Sequence, residues 1–309
     1  MNEAKGLFVF AVFAFAVFAS FAVSAAPPRG LTEPTRVAAA YDLILAARFD
    51  EAARRLQETC PPAPRAVCAA LSAAALWWRI LIDPSSRAYD EALERAVADA
   101  TAAARDWTMR DPQRGEAWFY LAAARAPRVN RLVLRGERLA AAREGKQIKE
   151  ALERALELDP SLDDAYFGIG LYHYYAAVAP MYAKLLRWLL ALPGGDRVQG
   201  LEEMRRARER GAILRGEADF QLQQIDLWYE ARPRDALALL ESLDARYPSN
   251  PLFLERIADL FETYLHDHDR SVAAWSALRD RARARRVYDA ARVEQRADAR
   301  ARDGGRRFF

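Results

Sequence analysis

Apolar residues recur every three or four positions along most of the chain, which is the period of an amphipathic α-helix. Between residues 87 and 110, one helical face is formed by Tyr89, Leu93, Ala96, Ala100, Ala104 and Trp107. Alternating β-branched runs and Asn-Gly hairpin turns, which predict strands, are missing. The pattern therefore predicts an all-α protein after residue 28.

The predicted helices are separated by short sequences that stop or cap a helix. They are Asp-Pro at 83–84, 111–112 and 159–160, Pro-Gly-Gly at 193–195 and Tyr-Pro at 247–248. Proline cannot continue a helix, and glycine commonly follows its last turn. The chain is therefore predicted to alternate between helices and short turns.

Some of the helical segments resemble one another. The segments 47-ARFDEAARRL-56 and 231-ARPRDALALL-240 share an alanine and a leucine at matching positions, and 148–170 keeps a similar spacing with Leu152, Ala155 and Pro160. A short helix pair cannot bury its apolar face alone, so recurring pairs usually stack on copies of themselves. The sequence thus predicts a stack of helical hairpins.

These segments resemble the tetratricopeptide repeat, which implies a right-handed superhelical stack over residues 27–278. Counting back from Pro160 at the spacing of that family places Gly136 where two helices cross closely. The following copy places Gly170 on its first helix. Its second helix matches only when Gly200 takes the position that the family spacing gives to residue 182, so this repeat is predicted to contain an 18-residue insertion (200 − 182).

A wider resemblance covers other parts of the chain. Its segments are 76-LWWRILIDP-84, 164-DAYFGIGLYHYYAAVAP-180, 188-WLLALPGGDRVQGLEEM-204 and 262-ETYLHDHD-269. They are similar to exported bacterial tetratricopeptide proteins. More distantly, they resemble a eukaryotic family tied to the mitochondrial outer membrane and inclusion-body clearance. The resemblance implies little about biochemical activity.

The N-terminal residues 6–26 carry no charge and include six of the 14 phenylalanines. Val23 and Ala25 suit the −3 and −1 positions of a cleavage site, so residues 1–26 are predicted to be a secretory signal peptide. A run of about 20 apolar residues can also span a bilayer, and a retained membrane anchor is the alternative. Both interpretations export the rest of the chain to the periplasm or hold it at the cell envelope.

The only two cysteines, Cys60 and Cys68, flank a proline-rich turn. Two cysteines with no histidine nearby cannot hold a structural zinc ion, and an oxidising compartment favours a disulfide. A disulfide between them is therefore predicted, with two buried free thiols as the alternative.

The charge is small overall and uneven along the chain. The formal charge is +3, too small to predict a nucleic-acid partner, and 42 of the 46 basic residues are arginine, as a compositional bias would produce. Residues 279–309 carry 11 arginines against five acids, a net +6, which leaves −3 for the remainder. This segment is predicted to be a basic C-terminal helix or tail, either solvated or in peripheral contact with a membrane.

The most distinctive stretch is 171-LYHYYAAVAPMYAKLLRWLLALPGGDRVQGL-201, because five of the 12 tyrosines lie between residues 166 and 182. Pro180 would end or kink a helix, and Lys184 and Arg187 add charges, so a membrane span is not predicted. The insertion either packs an apolar stripe (Leu185, Leu189, Leu192) on the stack or forms a lip beside a concave groove. In the second case the binding residues are Tyr172, His173, Tyr174, Tyr175, Tyr182, Arg187 and Trp188.

Signatures of catalysis or metal binding are missing from the sequence. His266 and His268 are two residues apart and would point roughly 200° away from each other on a helix. The glycines at 194–195 lack the Lys-Ser/Thr of a phosphate loop, and Asp196 is predicted to cap the next helix. The sequence therefore predicts a non-enzymatic scaffold for a protein or peptide partner, with no cofactor and no metal. The alternatives are a lipid-binding or membrane-docking protein that uses residues 172–192, and an enzyme with an unfamiliar site.

Overall fold

The computed structural model describes residues 29–179 and 194–306, with side chains through residue 300. Within these ranges the protein has thirteen helices and no strand. They are α1 Pro34–Leu45, α2 Phe49–Thr59, α3 Arg65–Ile82, α4 Asp90–Arg110, α5 Gly115–Leu134, α6 Arg138–Leu158, α7 Ala165–Val178, α8 Arg197–Arg210, α9 Arg215–Trp228, α10 Pro233–Arg246, α11 Pro251–Thr263, α12 His268–Arg283 and α13 Ala290–Arg306. The predicted all-α class is confirmed, and the predicted signal peptide or anchor at 1–26 lies outside the described residues.

Each helix packs on the one that follows it, so the chain forms a stack of helical hairpins. The hairpins are α1–α2, α3–α4, α5–α6, α7–α8, α9–α10 and α11–α12, and α13 packs on α12. Short connections between neighbours make consecutive helices antiparallel. The predicted all-α helical stack is therefore present.

Four of the hairpins share one kind of turn. The residue that leads into the second helix has a positive φ, namely Ala47 (55°), Gly136 (78°), Ala231 (51°) and His266 (53°). The segments that begin at Ala47 and Ala231, which look alike in sequence, therefore start at the same point of their hairpins. Ala231 and His266 are 35 residues apart, close to the period of about 34 residues that the resemblance implies.

The predicted role of Gly136 is wrong. It lies in the α5–α6 turn, and a Cβ atom there would have no neighbour within 4 Å, so Gly136 does not let two helices cross. The prediction failed because α5, α6 and their turn span residues 115–158, which is 44 residues and longer than a repeat of about 34. Counting back from Pro160 therefore ends in the turn.

Helices α7 and α8 cross closely at Gly170 and Gly200. A Cβ on Gly200 would lie 2.6 Å from the Gly170 carbonyl oxygen and 2.6 Å from the Tyr174 amide nitrogen. Asp196 caps α8 as predicted, because its carboxylate oxygen accepts hydrogen bonds from the amide nitrogens of Val198 at 2.8 Å and Gln199 at 3.0 Å. The predicted insertion corresponds to the connection between the end of α7 and the start of α8, of which residues 180–193 lie outside the described ranges.

The stack also closes on itself, because its first helices contact later ones. Trp78 of α3 is fully buried, and its ring centroid lies 5.0 Å from that of Phe220 on α9 and 6.0 Å from that of Phe253 on α11. The Asn250 side chain donates to the Leu45 carbonyl oxygen at 2.7 Å. In an open solenoid each repeat contacts only its neighbours. Here the surface around Trp78 is covered by α9 and α11 and is not an open groove.

The closure encloses a buried carboxyl group. Glu217 of α9 accepts a hydrogen bond from the Tyr41 hydroxyl at 2.7 Å and from the Trp78 indole nitrogen at 3.2 Å. Burial raises the pKa of Glu217 above its ordinary value. The two donors come from α1 and α3, so this polar contact joins the first two hairpins to the fifth.

Helix α3 is long and apolar enough to cross a membrane when judged by length and composition alone. Yet 56% of it is buried inside the protein, and it packs on α1, α2, α4 and α5. The apolar composition of α3 therefore accounts for its place in the core of the stack.

A disulfide joins Cys60 to Cys68, with their Cα atoms 6.3 Å apart. Cys60 follows α2 and Cys68 lies in the first turn of α3, so the bond closes the proline-rich turn between these two helices. The predicted disulfide is confirmed, and such a bond persists in an oxidising compartment.

Up to residue 300, the C-terminal segment is part of the helical stack and is not a separate tail. The predicted boundary before residue 279 falls inside α12, and α13 packs on α12 with Val293 and Ala297 buried. Three arginines of α13 at spacings of four residues face acids of other helices and turns, in the pairs Arg292–Asp83, Arg296–Glu255 and Arg300–Asp259. The count of charges along the sequence could not show that their partners lie 41 to 209 residues earlier (296 − 255 and 292 − 83).

Candidate functional site

The turns of the stack lie on two opposite edges, because antiparallel helices alternate in direction. We call the edge with the turns inside hairpins the hairpin edge; its turns include 135–137, 229–232 and 264–267. The other, which we call the linker edge, holds the turns between hairpins, such as 111–114, 159–164 and 211–214. The predicted insertion between α7 and α8 belongs to the hairpin edge.

Exposed hydrophobic side chains are concentrated on the hairpin edge. Nine large hydrophobic residues are exposed in the described part of the chain, and eight lie in these turns or within about one helical turn of them. The eight are Val133, Leu134, Leu139, Val198, Trp228, Tyr229, Tyr264 and Val272. A surface on which exposed apolar side chains are concentrated is a candidate for interaction with a partner.

Tyr174, predicted to offer its ring to a ligand, is fully buried. Its hydroxyl donates a hydrogen bond to the carboxylate of Glu230, which lies in the α9–α10 turn. Burial is the main cause that raises the pKa of Tyr174, and the Glu230 carboxylate adds to it. The ring of Tyr174 is therefore part of the interior and does not form a binding surface, because the apolar face of α7 is covered by α8 and α9.

Three tyrosines form an aromatic cluster between α7 and the end of α9. The Tyr229 ring centroid lies 6.0 Å from that of Tyr174 and 5.6 Å from that of Tyr175, and both pairs meet edge to face. Tyr174 and Tyr175 are themselves 5.6 Å apart. This geometry is the favourable one for aromatic pairs. Tyr229 is 48% exposed, so the cluster extends from the core to the hairpin edge.

An ion pair fixes the turn that carries Tyr229. Arg197, the first residue of α8, donates from Nε to a carboxylate oxygen of Glu230 at 2.8 Å and makes a second bond through Nη2. The hydrogen bonds from Arg197 are the main cause that lowers the pKa of Glu230. The start of α8 and the α9–α10 turn are thereby held together.

His173 and Tyr172 contact residues of two other helices. The Nδ1 atom of His173 is 2.7 Å from a carboxylate oxygen of Glu203 on α8. The Lys149 ammonium lies 5.4 Å from the centroid of the Tyr172 ring. The predicted residues on α7 therefore have different partners, because Tyr174 and Tyr175 contact Tyr229 whereas His173 and Tyr172 contact α8 and α6. The other predicted residues, Tyr182, Arg187 and Trp188, lie outside the described residues.

The sequence interpretation missed the exposed aromatic residues at the ends of α9 and α11. Trp228 and Tyr229 end the first helix of one hairpin, and Tyr264 ends that of the next. Tyr229 and Tyr264 each directly follow the first helix of their own hairpin, and they are 35 residues apart. The signal in the sequence is a tyrosine two residues before Ala231 and two residues before His266.

The residues described here contain no group of three or more His, Cys, Asp or Glu side chains placed to hold a metal ion. Within 265-LHDHD-269, His266 is the positive-φ residue of its turn and the Asp267 carboxylate caps α12. The Nδ1 atom of His268 lies 3.0 Å from a Glu262 carboxylate oxygen. These side chains complete a hairpin turn.

Two of the cavities between helices of the described chain differ in size. The larger, about 710 Å³, is lined by alanines and by charged residues that include Asp42, Arg48, Arg55, Arg215 and Arg246. The smaller, about 320 Å³, lies between the end of α3 and helices α11 to α13, and its lining includes Glu255, Asp259, Arg296 and Arg300. Charged groups on both linings suit an apolar ligand poorly.

Glu255, which lines the smaller cavity, makes the stability of the protein depend on pH. Burial raises the pKa of Glu255 to about 7, although the Arg296 guanidinium lowers it. Between roughly pH 4.5 and pH 7, Glu255 is therefore protonated in the folded protein and ionised in the unfolded chain. Stability from this group is complete below roughly pH 4.5 and is lost as the pH rises through 7.

We expect Glu255→Gln to remove this loss. Urea unfolding of the variant and the natural chain at pH 5 and pH 8 should show the free energy of unfolding shifting in favour of the variant at the higher pH. Glu91→Gln, at an exposed acid that pairs with Arg95, is the matched control and should show no such shift. A constant difference between Glu255→Gln and the natural chain at both pH values would contradict the prediction.

Comparison with known proteins gives no family for the chain. No protein-family model matches it, and no curated protein matches it.

Proposed function

We propose that this protein is a non-enzymatic scaffold of the cell envelope that binds a protein partner along its hairpin edge. The observation that carries the proposal is that eight of the nine large hydrophobic residues exposed in the described ranges lie on that edge. Trp228 and Tyr229 are the best candidates for anchors, because tryptophan and tyrosine contribute most often to the energy of interfaces. The partner is a protein segment with apolar side chains.

The packing behind Tyr229 supports a binding role for this edge. The Tyr229 ring packs edge to face against Tyr174 and Tyr175, and the Arg197–Glu230 ion pair stabilises the turn that carries it. A side chain that is already ordered loses little conformational entropy when a partner covers it. The Tyr229 side chain is therefore ordered before a partner binds, and binding costs little conformational entropy there.

The envelope location and the repeat type are parts of the same proposal. The uncharged N-terminal run and the Cys60–Cys68 disulfide support export to an oxidising compartment. The shared hairpin turns and the Gly170–Gly200 crossing support a tetratricopeptide-type stack. The closed surface around Trp78 moves the proposed binding site from an inner groove to the hairpin edge.

The test is capture of a partner by the exported protein, through crosslinking in intact cells and mass spectrometry. We expect the Trp228→Ala, Tyr229→Ala double variant to capture at least tenfold less of the partner than the natural chain. Each anchor of this kind contributes about 2 kcal/mol or more to binding. Met109→Ala is the control, because Met109 is 72% exposed on the linker edge. Thermal unfolding of each variant establishes that the stack is intact.

Capture that is equal in the double variant and in the natural chain would place the partner elsewhere and overturn the proposed site. Acyl chains that copurify with the protein in place of a protein partner would overturn the scaffold and support the lipid-binding alternative.

A further inference from the structure

The first described residues of the chain form a strap across the linker edge. The Gly30 amide donates to a carboxylate oxygen of Asp159 at 2.7 Å, and the Thr32 amide and hydroxyl donate to Glu116 at 2.6 and 2.8 Å. Arg114 donates in return to the Gly30 carbonyl oxygen at 2.9 Å. The strap, residues 30–32, is therefore tied to the α4–α5 and α6–α7 connections.

The groups that hold the strap are buried charges. Arg114, Glu116 and Asp159 are all buried, and Arg114 pairs with Glu116. Hydrogen bonds to charged groups are stronger than those between neutral ones, and leaving a buried charge without its partner is costly. The strap is thus a fixed point of the fold.

In the sequence, this fixed point follows the apolar N-terminal run after a few residues. The run ends at Ala26, four residues before Gly30, and four extended residues span at most about 14 Å. The headgroup layer on each side of a bilayer is roughly 5–8 Å thick. A protein whose residues 6–26 are inserted in a bilayer therefore cannot carry its strap far from the lipid surface.

We infer that the linker edge is the membrane-facing surface of the full-length protein, with the lipid headgroup layer as its partner. The hairpin edge then points away from the bilayer. The inference rests on the envelope location in the proposed function, but not on the binding of a protein partner. It applies to the chain that retains residues 1–26, either as a permanent anchor or before cleavage.

Exposed side chains on the linker edge suit this position. Of the nine large hydrophobic residues exposed in the part of the chain that the structure describes, Met109, at the end of α4, is the one that does not lie at the hairpin edge. Trp118 is partly exposed nearby in sequence, and its indole nitrogen donates to the Pro112 carbonyl oxygen at 3.0 Å. Tryptophan is enriched at membrane–water interfaces because its ring is apolar and its N–H is polar.

The orientation can be measured by lipid quenching of a fluorescent label. The chain 1–309 is synthesised in the presence of vesicles of phosphatidylethanolamine and phosphatidylglycerol without signal peptidase, as Met109→Cys or as Val272→Cys. Both native cysteines are in the disulfide, so the new thiol alone takes the label. Val272 is 40% exposed near the hairpin edge and is the matched control.

We expect nitroxide groups on the lipid headgroups to quench the label at position 109 several-fold more strongly than the label at position 272. Equal quenching, or stronger quenching at position 272, would overturn the inference, as would failure of the full chain to bind vesicles. These outcomes do not affect partner capture at Trp228 and Tyr229, so the two proposals fail independently.

A second variant tests the tether without changing a described residue. Insertion of six Gly-Ser residues between Pro28 and Arg29 lengthens the reach from about 14 Å to about 35 Å. The difference in quenching between positions 109 and 272 should then shrink. An undiminished difference in the lengthened chain would show that the short tether does not orient the protein.

Discussion

Replacing Trp78 with alanine is expected to destabilise the protein by about 3–5 kcal/mol, the range for loss of a large buried aromatic side chain. The ring fills the space between α3, α9 and α11 and contacts Phe220 and Phe253. Its removal leaves a cavity and takes one hydrogen-bond donor from the buried carboxyl of Glu217. Urea unfolding followed by circular dichroism measures the change in free energy.

Trp228→Ala is the matched control for Trp78→Ala. Trp228 is 49% exposed, and the substitution should cost well under half of the loss at Trp78. If Trp78→Ala were no more destabilising than Trp228→Ala, the packing of α3 on α9 and α11 described above would be wrong.

Gly200→Ala is expected to cost about 1–3 kcal/mol or more, because the new methyl group would meet backbone atoms. The Gly170 carbonyl oxygen and the Tyr174 amide nitrogen lie 2.6 Å from the position of its Cβ. Backbone atoms cannot rotate away as the end of a side chain can, so α7 and α8 would have to move apart. Chemical unfolding measures the loss, and separation of these helices should also loosen the aromatic cluster.

Gly145→Ala provides the control in a helix where no atom lies within 4 Å of the added methyl group. Alanine in a helix interior is favoured over glycine by roughly 0.5–1 kcal/mol, so this variant should be more stable than the natural chain. The two substitutions are chemically identical and are expected to have opposite signs. A stabilising effect at Gly200 would contradict the close crossing of α7 and α8.

The sequence predicts the local structure of this protein well, because periodicity and capping are local properties. Helical spacing predicts the all-α class, and the place of Asp196 after a glycine pair predicts that it caps a helix, as the structure shows. The spacing of the resembling repeat places Gly170 and Gly200 on the two helices of one hairpin, where the structure has them. Gly136 was misplaced because that spacing fails where helices are longer.

The contacts between distant parts of the chain could not be predicted in this way. Periodicity shows that Trp78 lies on an apolar face of α3, but it does not reveal that Phe220, 142 residues later (220 − 78), covers this face. The same limit explains Tyr174. An aromatic residue on an apolar helix face has the same pattern whether it is buried by a neighbouring helix or left open for a ligand.

The closure of the stack bears on how the protein unfolds. Stacks whose units contact only their neighbours can fray from either end, with the remainder still folded. Here loss of α1 to α3 would uncover Phe220 and Phe253 near the opposite end, so both ends are energetically coupled. Such coupling favours a single cooperative transition. It also slows folding, since contacts across more than 100 residues require closure of a long loop before they contribute.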